Sequence, residues 1–236
     1  MQGNLNKLKK EINQLHNPAR AKVSAWFFKT GKGQYGEGDR FLGLTSDQVK
    51  EVAKQFHFLS FSELSKLLKS AIHEERMAAL RILTINFKKA SENKKKQIFD
   101  FYLKHTDKID SWDLVDASAD KIVGGYLMDK PKGILTKLAK SGLIWERRIA
   151  MVATFEFIKA RKVNETFKIA KLLLKDKHDL IHKAVGWMLR EAGKRDIKAE
   201  LAFLNQHATR LPRTALRYAI ERFPEPLRKK YLLLKR

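Results

Sequence analysis

Apolar residues recur at intervals of three and four along most of this chain, the spacing that lines one face of an α-helix. The stretches "DLVDASADKIVGGYLMDK", "TFKIAKLLLKDK" and "HKAVGWMLREAGK" carry this pattern, and no run shows the alternation of a half-buried strand. Helix breakers are scarce, with 5 prolines and 12 glycines in 236 residues, so the pattern runs on with few interruptions. It predicts an all-α chain.

Within that pattern the sequence repeats itself. Setting "HEERMAAL" from His73 above "WERRIAMV" from Trp145 aligns Glu74 with Glu146, Arg76 with Arg148 and Ala78 with Ala150. The offset of 72 residues is two units of about 36. A further step of 36 takes Ala150 to Gly186, and one of 33 takes Gly186 to Ala219. These positions are small, as close helix contacts require; Leu114, one step from Ala78, breaks the series. Helix pairs at this period predict a HEAT-like helical-repeat solenoid, read as a single domain over 1–236 with a concave basic face. Arg76, Trp112 and Arg148 would then lie in register along one surface.

Composition narrows the partner. Lys and Arg total 49 against 26 Asp and Glu, a formal charge of +23, which favours a polyanion over a small neutral substrate. The 44% hydrophobic content allows a sizeable core. There is no cysteine, so disulfides, Cys-ligated zinc, iron–sulfur clusters and thiol catalysis are excluded. No apolar run approaches the roughly 18 residues of a membrane span, and "MQGNLNKLKKEINQLHN" has no signal-peptide hydrophobic region. The expectation is a soluble cytoplasmic protein, nucleoid-associated if the source is prokaryotic.

Two apparent motifs carry little. "GKGQYG" matches G-x-G-x-x-G, but it follows the helical "ARAKVSAWFFKT" rather than a strand and reads as a turn. Thr45 or Ser46 would cap the helix after it. The 7 histidines make no metal-ligand pair at i, i+4, and His73 and His182 fall at helix starts, where bonding to the helix end is the ordinary role. The informative stretch is "SWDLVD", Ser111 to Asp116. On a helix Trp112 and Asp116 share a face, while Asp113 points elsewhere and suits a first-turn charge, with Asp110 or Ser111 as N-cap.

A carboxylate on a phosphate-binding surface repels its ligand and needs a chemical reason to be there. Cleavage of a glycosidic bond supplies one, because the sugar becomes cationic and a nearby carboxylate stabilises it and orients water. Tryptophan faces attract the same cation more weakly. A base already cationic through alkylation leaves without a general acid.

The segments "YGEGDRFLG", "HEERMAAL", "SWDLVD", "WERRIAMVATFEFI", "LIHKAVGWMLREAGKR" and "PRTALRYAIERFP" follow one another as in the AlkD-type DNA alkylation repair glycosylases, which the chain resembles from about residue 20 onward. The resemblance implies excision of N3- and N7-alkylpurines from duplex DNA by a monofunctional enzyme, without metal or cofactor, acting as a monomer. It implies Asp116 as the residue stabilising the sugar cation, with Trp112 and Trp187 as aromatic partners. It also implies DNA contacts by Arg148, Arg190, Lys183 and Phe27, the last standing where the family leads us to expect a tyrosine. The rival reading is a non-catalytic repeat protein that binds damaged or branched DNA. Among so many lysines, none stands out as a Schiff-base nucleophile.

Overall fold

A computed structural model describes residues 2–234, which are helical; among them the only extended pairing is one β-bridge between Arg40 and Ile72. They divide after Ser118 into two compact units. The first contains α1 (Gln2–Gln14), α2 (Pro18–Phe27), α3 (Ser46–Gln55), α4 (Phe61–Leu68), α5 (His73–Lys89) and α6 (Glu92–Lys104), and runs into α7 (Trp112–Ala119). The second begins with a π-helical turn (Asp120–Gly124) and α8 (Gly125–Leu127). It continues through α9 (Gly133–Ala139), α10 (Ile144–Lys159), α11 (Asn164–Leu172) and α12 (Asp179–Gly193). It closes with α13 (Ile197–His207), α14 (Arg213–Ala219) and α15 (Glu225–Leu232). No helix among the described residues is long and apolar enough to cross a membrane.

Helix starts follow local chemistry. Thr45 caps α3 by accepting from Gln48 N–H while the Gln48 side chain accepts from Thr45 N–H, and Ser60 and Glu63 do the same for α4. Of the two caps expected there, Thr45 is the one used. In the first unit Val52, Leu67, Leu80 and Leu83 form much of the core; in the second, Ile149, Val152, Phe157, Ile181 and Leu189 do. Each such side chain is worth about 1.5–3 kcal/mol when fully buried.

The repeat is real, but its register differs by one residue from the sequence alignment. Ser70 and Ser141 each accept, through the hydroxyl, the N–H of the residue two positions on, Ile72 and Leu143. Six positions on, Arg76 and Arg147 each return Nη1 to that serine's carbonyl, at 2.9 and 3.0 Å. Asp176 repeats both features with His178 N–H and His182 Nε2. The equivalent arginine of Arg76 is therefore Arg147, because the turn before the helix sets the register. Nor do Arg76 and Arg148 line an open surface, since both are buried.

The small-residue series does not keep this register: nine positions beyond Ser70, Ser141 and Asp176 stand Ala79, Ala150 and Val185, so Ala78 and Gly186 each lie one place away from the equivalent of Ala150. Ala78, Ala150, Gly186 and Ala219 are all buried. A Cβ on Gly186 would lie 2.4 Å from the Ala215 carbonyl oxygen and from Tyr218 Cβ, so only glycine lets α12 and α14 approach this closely. Leu114, which broke the series, is buried as well.

Candidate active site

The first unit assembles its aromatic residues around a clamped loop. Arg40 N–H bonds Ala71 O at 3.1 Å and His73 N–H bonds Arg40 O at 2.8 Å, which ties the loop to the start of α5. Side chains two apart on extended backbone share a side, so Asp39 and Phe41 both meet His73. The buried Glu74 carboxylate accepts the N–H groups of Leu42, Gly43 and Leu44 at 2.8 to 3.2 Å. Gly43 has φ of 82°, and a Cβ there would strike Asn17 O at 2.4 Å and Ala21 N at 2.5 Å. The loop thus sits hard against the start of α2, and this fixes where α2 ends, at Phe27 and Phe28.

From that end the rings run inward in sequence. Phe28 stacks on Trp112 at 5.2 Å with 10° between planes, and Phe27 meets Trp112 edge-on at 6.0 Å. Phe28 also contacts Phe41 at 4.9 Å and His73 at 5.2 Å, and Phe41 stacks on His73 at 4.4 Å. The outer part is open: Trp26 is 81% exposed, and Val23 and Phe27 are exposed too. These three share a face of α2 by their i, i+3, i+4 spacing, and α2 buries none of its residues.

Beneath the rings lies a buried charge network. His73 Nδ1 is 2.7 Å from Asp39 Oδ2 and Nε2 is 2.8 Å from Asp113 Oδ2. Arg76 reaches Asp39 at 2.8 Å and Asp110 at 3.2 Å. Burial alone would lower the His73 pKa, but hydrogen bonds and charge from Asp113 and Asp39 outweigh it and raise the pKa to about 9, so the imidazole is a cation donating from both nitrogens. Burial would raise the Asp113 pKa, and its bond to His73 instead holds it below the usual carboxylate range. Asp113 is the first-turn carboxylate expected of it, and it is also an anchor to another helix. Asp116 sits one turn further along α7, half-buried, on the same face as Trp112.

The remaining sequence-derived residues belong to the second unit. Arg148 is buried on α10 and donates Nη1 to the Leu180 carbonyl at 2.5 Å, bracing the start of α12. Lys183, Trp187 and Arg190 all lie on α12. Trp187 is half-buried and meets Phe155 at 5.8 Å. Lys183 pairs with Asp179 at 2.8 Å, and Arg190 pairs with Glu221 and lies 3.6 Å from Glu191. The structure therefore brings Phe27, Trp112 and Asp116 together in the first unit, and Lys183, Trp187 and Arg190 together on one helix of the second. Sequence reasoning missed Asp39, Phe28, Phe41 and the bridging role of His73. The "GDRF" and "WFFK" segments hold three of these residues, but only the Arg40–Ile72 bridge reveals that they meet.

Among the described residues no cluster of histidine and carboxylate side chains has the makings of a metal site. A search of curated proteins returned no match. Among solved structures, one titled a predicted DNA alkylation repair enzyme from Enterococcus faecalis is similar at a TM-score of 0.70, covering 89% of this chain and 97% of that one. At 17% identity that likeness speaks for the helical-repeat fold alone. The family model for DNA alkylation repair enzymes matches residues 8–223, nearly the whole length, and on that match the chain belongs to the DNA alkylation repair enzyme family.

Proposed function

We propose that this protein is a monofunctional DNA glycosylase that releases N3- and N7-alkylated purines from duplex DNA, working as a HEAT-like repeat monomer. The observation that carries the reading is the placement of Asp116. It lies one turn beyond Trp112 on a helix whose first turn is anchored by the Asp113 bond to the buried His73. A carboxylate held in place before the reaction stabilises an oxocarbenium-like sugar without reorganising as charge develops. In this reading Asp116 faces the deoxyribose and orients the attacking water, and Trp112 lies along the sugar and lesion. The alkylated base, cationic from the start, departs with the bond electrons.

DNA contact is proposed for both units. In the first, the exposed Val23, Trp26 and Phe27 face of α2 is flanked by Arg20, Lys22, Lys29 and Lys32, with no acidic residue between positions 18 and 36. In the second, Lys183 and Arg190 would exchange their carboxylate partners for phosphates, with Trp187 packing on the backbone sugars. Arg148, being buried, would support this by holding α12. A lyase activity at Lys159 finds no support. Burial would lower its pKa, but Glu156 and Asp120 outweigh this and raise it, whereas a Schiff-base amine needs a lowered one.

The test is incubation with a duplex carrying one N7-methylguanine, measuring free base and abasic sites separately. Stoichiometric release of base with an intact abasic strand is the expected result. Tight binding without release would replace this reading with that of a non-catalytic binder of damaged DNA.

A further inference from the structure

We propose that His73 is a positioning residue of the site, a double hydrogen-bond bridge that sets the first turn of α7 and hence the placing of Trp112 and Asp116; this rests on the proposed function above. Three observations converge on it. First, its two ring nitrogens reach carboxylates on different parts of the fold, Asp39 in the clamped loop and Asp113 in α7. Second, its ring belongs to the aromatic series: it contacts Phe28, and Phe28 stacks on Trp112. Third, it is buried, so neither bond is readily exchanged for water.

Only a cationic imidazole donates from both nitrogens to two ionised carboxylates. Neutral His73 would keep one donor and turn a lone pair toward the other carboxylate, leaving a buried repulsive contact. If that contact opened at Asp113, the start of α7 would lose its tie to α5. If it opened at Asp39, the loop carrying Phe41 would lose its own. Either way the ring series ending at Trp112 would shift, and Asp116 with it. The charged groups facing His73 are Asp39, Asp113, Arg76 and Asp110, and Arg76 shares Asp39 with it. The excess of carboxylates over cations in this group is what keeps the imidazole protonated at neutral pH. Displacements well under a helical turn matter here, because misplacing a catalytic group by about 1 Å costs on the order of a hundredfold in rate.

The test uses the full chain with carbon-labelled histidine and nitrogen-labelled tryptophan. The His73 imidazole signal should titrate far above the usual histidine range, and the Trp112 indole signal should move with the same midpoint. In Asp39→Asn and in His73→Gln, single-turnover release of N7-methylguanine at neutral pH should fall by roughly tenfold to a hundredfold. Affinity for the same duplex should stay within about twofold, because none of these groups is offered to phosphate. A Trp112 signal indifferent to His73 titration overturns the inference, as does wild-type release in both folded variants. The wild-type titration alone decides the matter if the variants fail to fold. It also separates the two ideas: wild-type protein that releases no base refutes the proposed activity, while the indole response still reports whether His73 sets Trp112.

Discussion

Trp112 and Trp187 are held in opposite ways, one in each unit. Trp112 is stacked on Phe28, and the helix it opens is anchored by the bond from the half-buried Asp113 to the buried His73. Trp187 meets Phe155 on a helix whose Lys183 pairs with Asp179 at the surface, while the half-buried Arg190 pairs with the exposed Glu221 and lies near Glu191. Buried pairs fix a geometry, because breaking one strands a charge away from water. Exposed pairs are weak, screened by salt and easily traded for another anion. The first unit fixes its aromatic side chains, and on α12 the exposed Lys183–Asp179 pair is one that another anion could displace. The proposed glycosylase activity calls for both.

The largest expected effect breaks the packing of the second unit. Gly186→Val puts a branched side chain where even a Cβ meets backbone at 2.4 Å, and should cost about 3 kcal/mol or more. Urea unfolding followed by circular dichroism measures it, and a wild-type midpoint would contradict the close α12–α14 contact. Next comes Asp113→Asn, which leaves His73 charged with one partner fewer. A loss of about 2–4 kcal/mol is expected, against less than about 1 kcal/mol for the exposed-pair counterpart Asp179→Asn. Equal midpoints for these two variants would erase the contrast between the units.

A smaller effect is set by pH. His73 carries a folded pKa of about 9 against an ordinary 6.5, so its stabilisation is complete below 6.5 and is lost as pH rises through 9. Wild-type stability should fall by on the order of 1–3 kcal/mol across that window, while His73→Gln should be flatter. Denaturant midpoints at pH 6.5, 8 and 9.5 provide the check. The smallest effect belongs to α12. Lys183→Ala should leave stability within about 0.5 kcal/mol, yet lower the slope of log affinity against log salt by about one. An unaltered slope would remove Lys183 from the DNA contacts.

These contrasts follow what the sequence could convey. Helical spacing and the Thr45 cap were legible because each depends on neighbours within a turn. The shared face of Trp112 and Asp116 was legible for the same reason. The burial of Arg76 and Arg148 was not legible, because it depends on which helix packs alongside. The repeat register slipped by one because "ERM" and "ERR" match letter for letter while the preceding serine turns set the true alignment. The Asp39–His73–Asp113 bridge was out of reach. Its members are 34 and 40 residues apart: the Arg40–Ile72 β-bridge sets Asp39 beside His73, and Asp113 comes to the other ring nitrogen from α7.

Asp116→Asn removes charge while keeping size and shape, and so separates the chemistry of Asp116 from its packing. The measurement is single-turnover release of N7-methylguanine from a duplex, made beside the affinity for that duplex. The expected rate is lower by on the order of a hundredfold or more, with affinity retained or improved because one negative charge has left the proposed phosphate-binding surface. Release at the wild-type rate by a folded Asp116→Asn protein would contradict it.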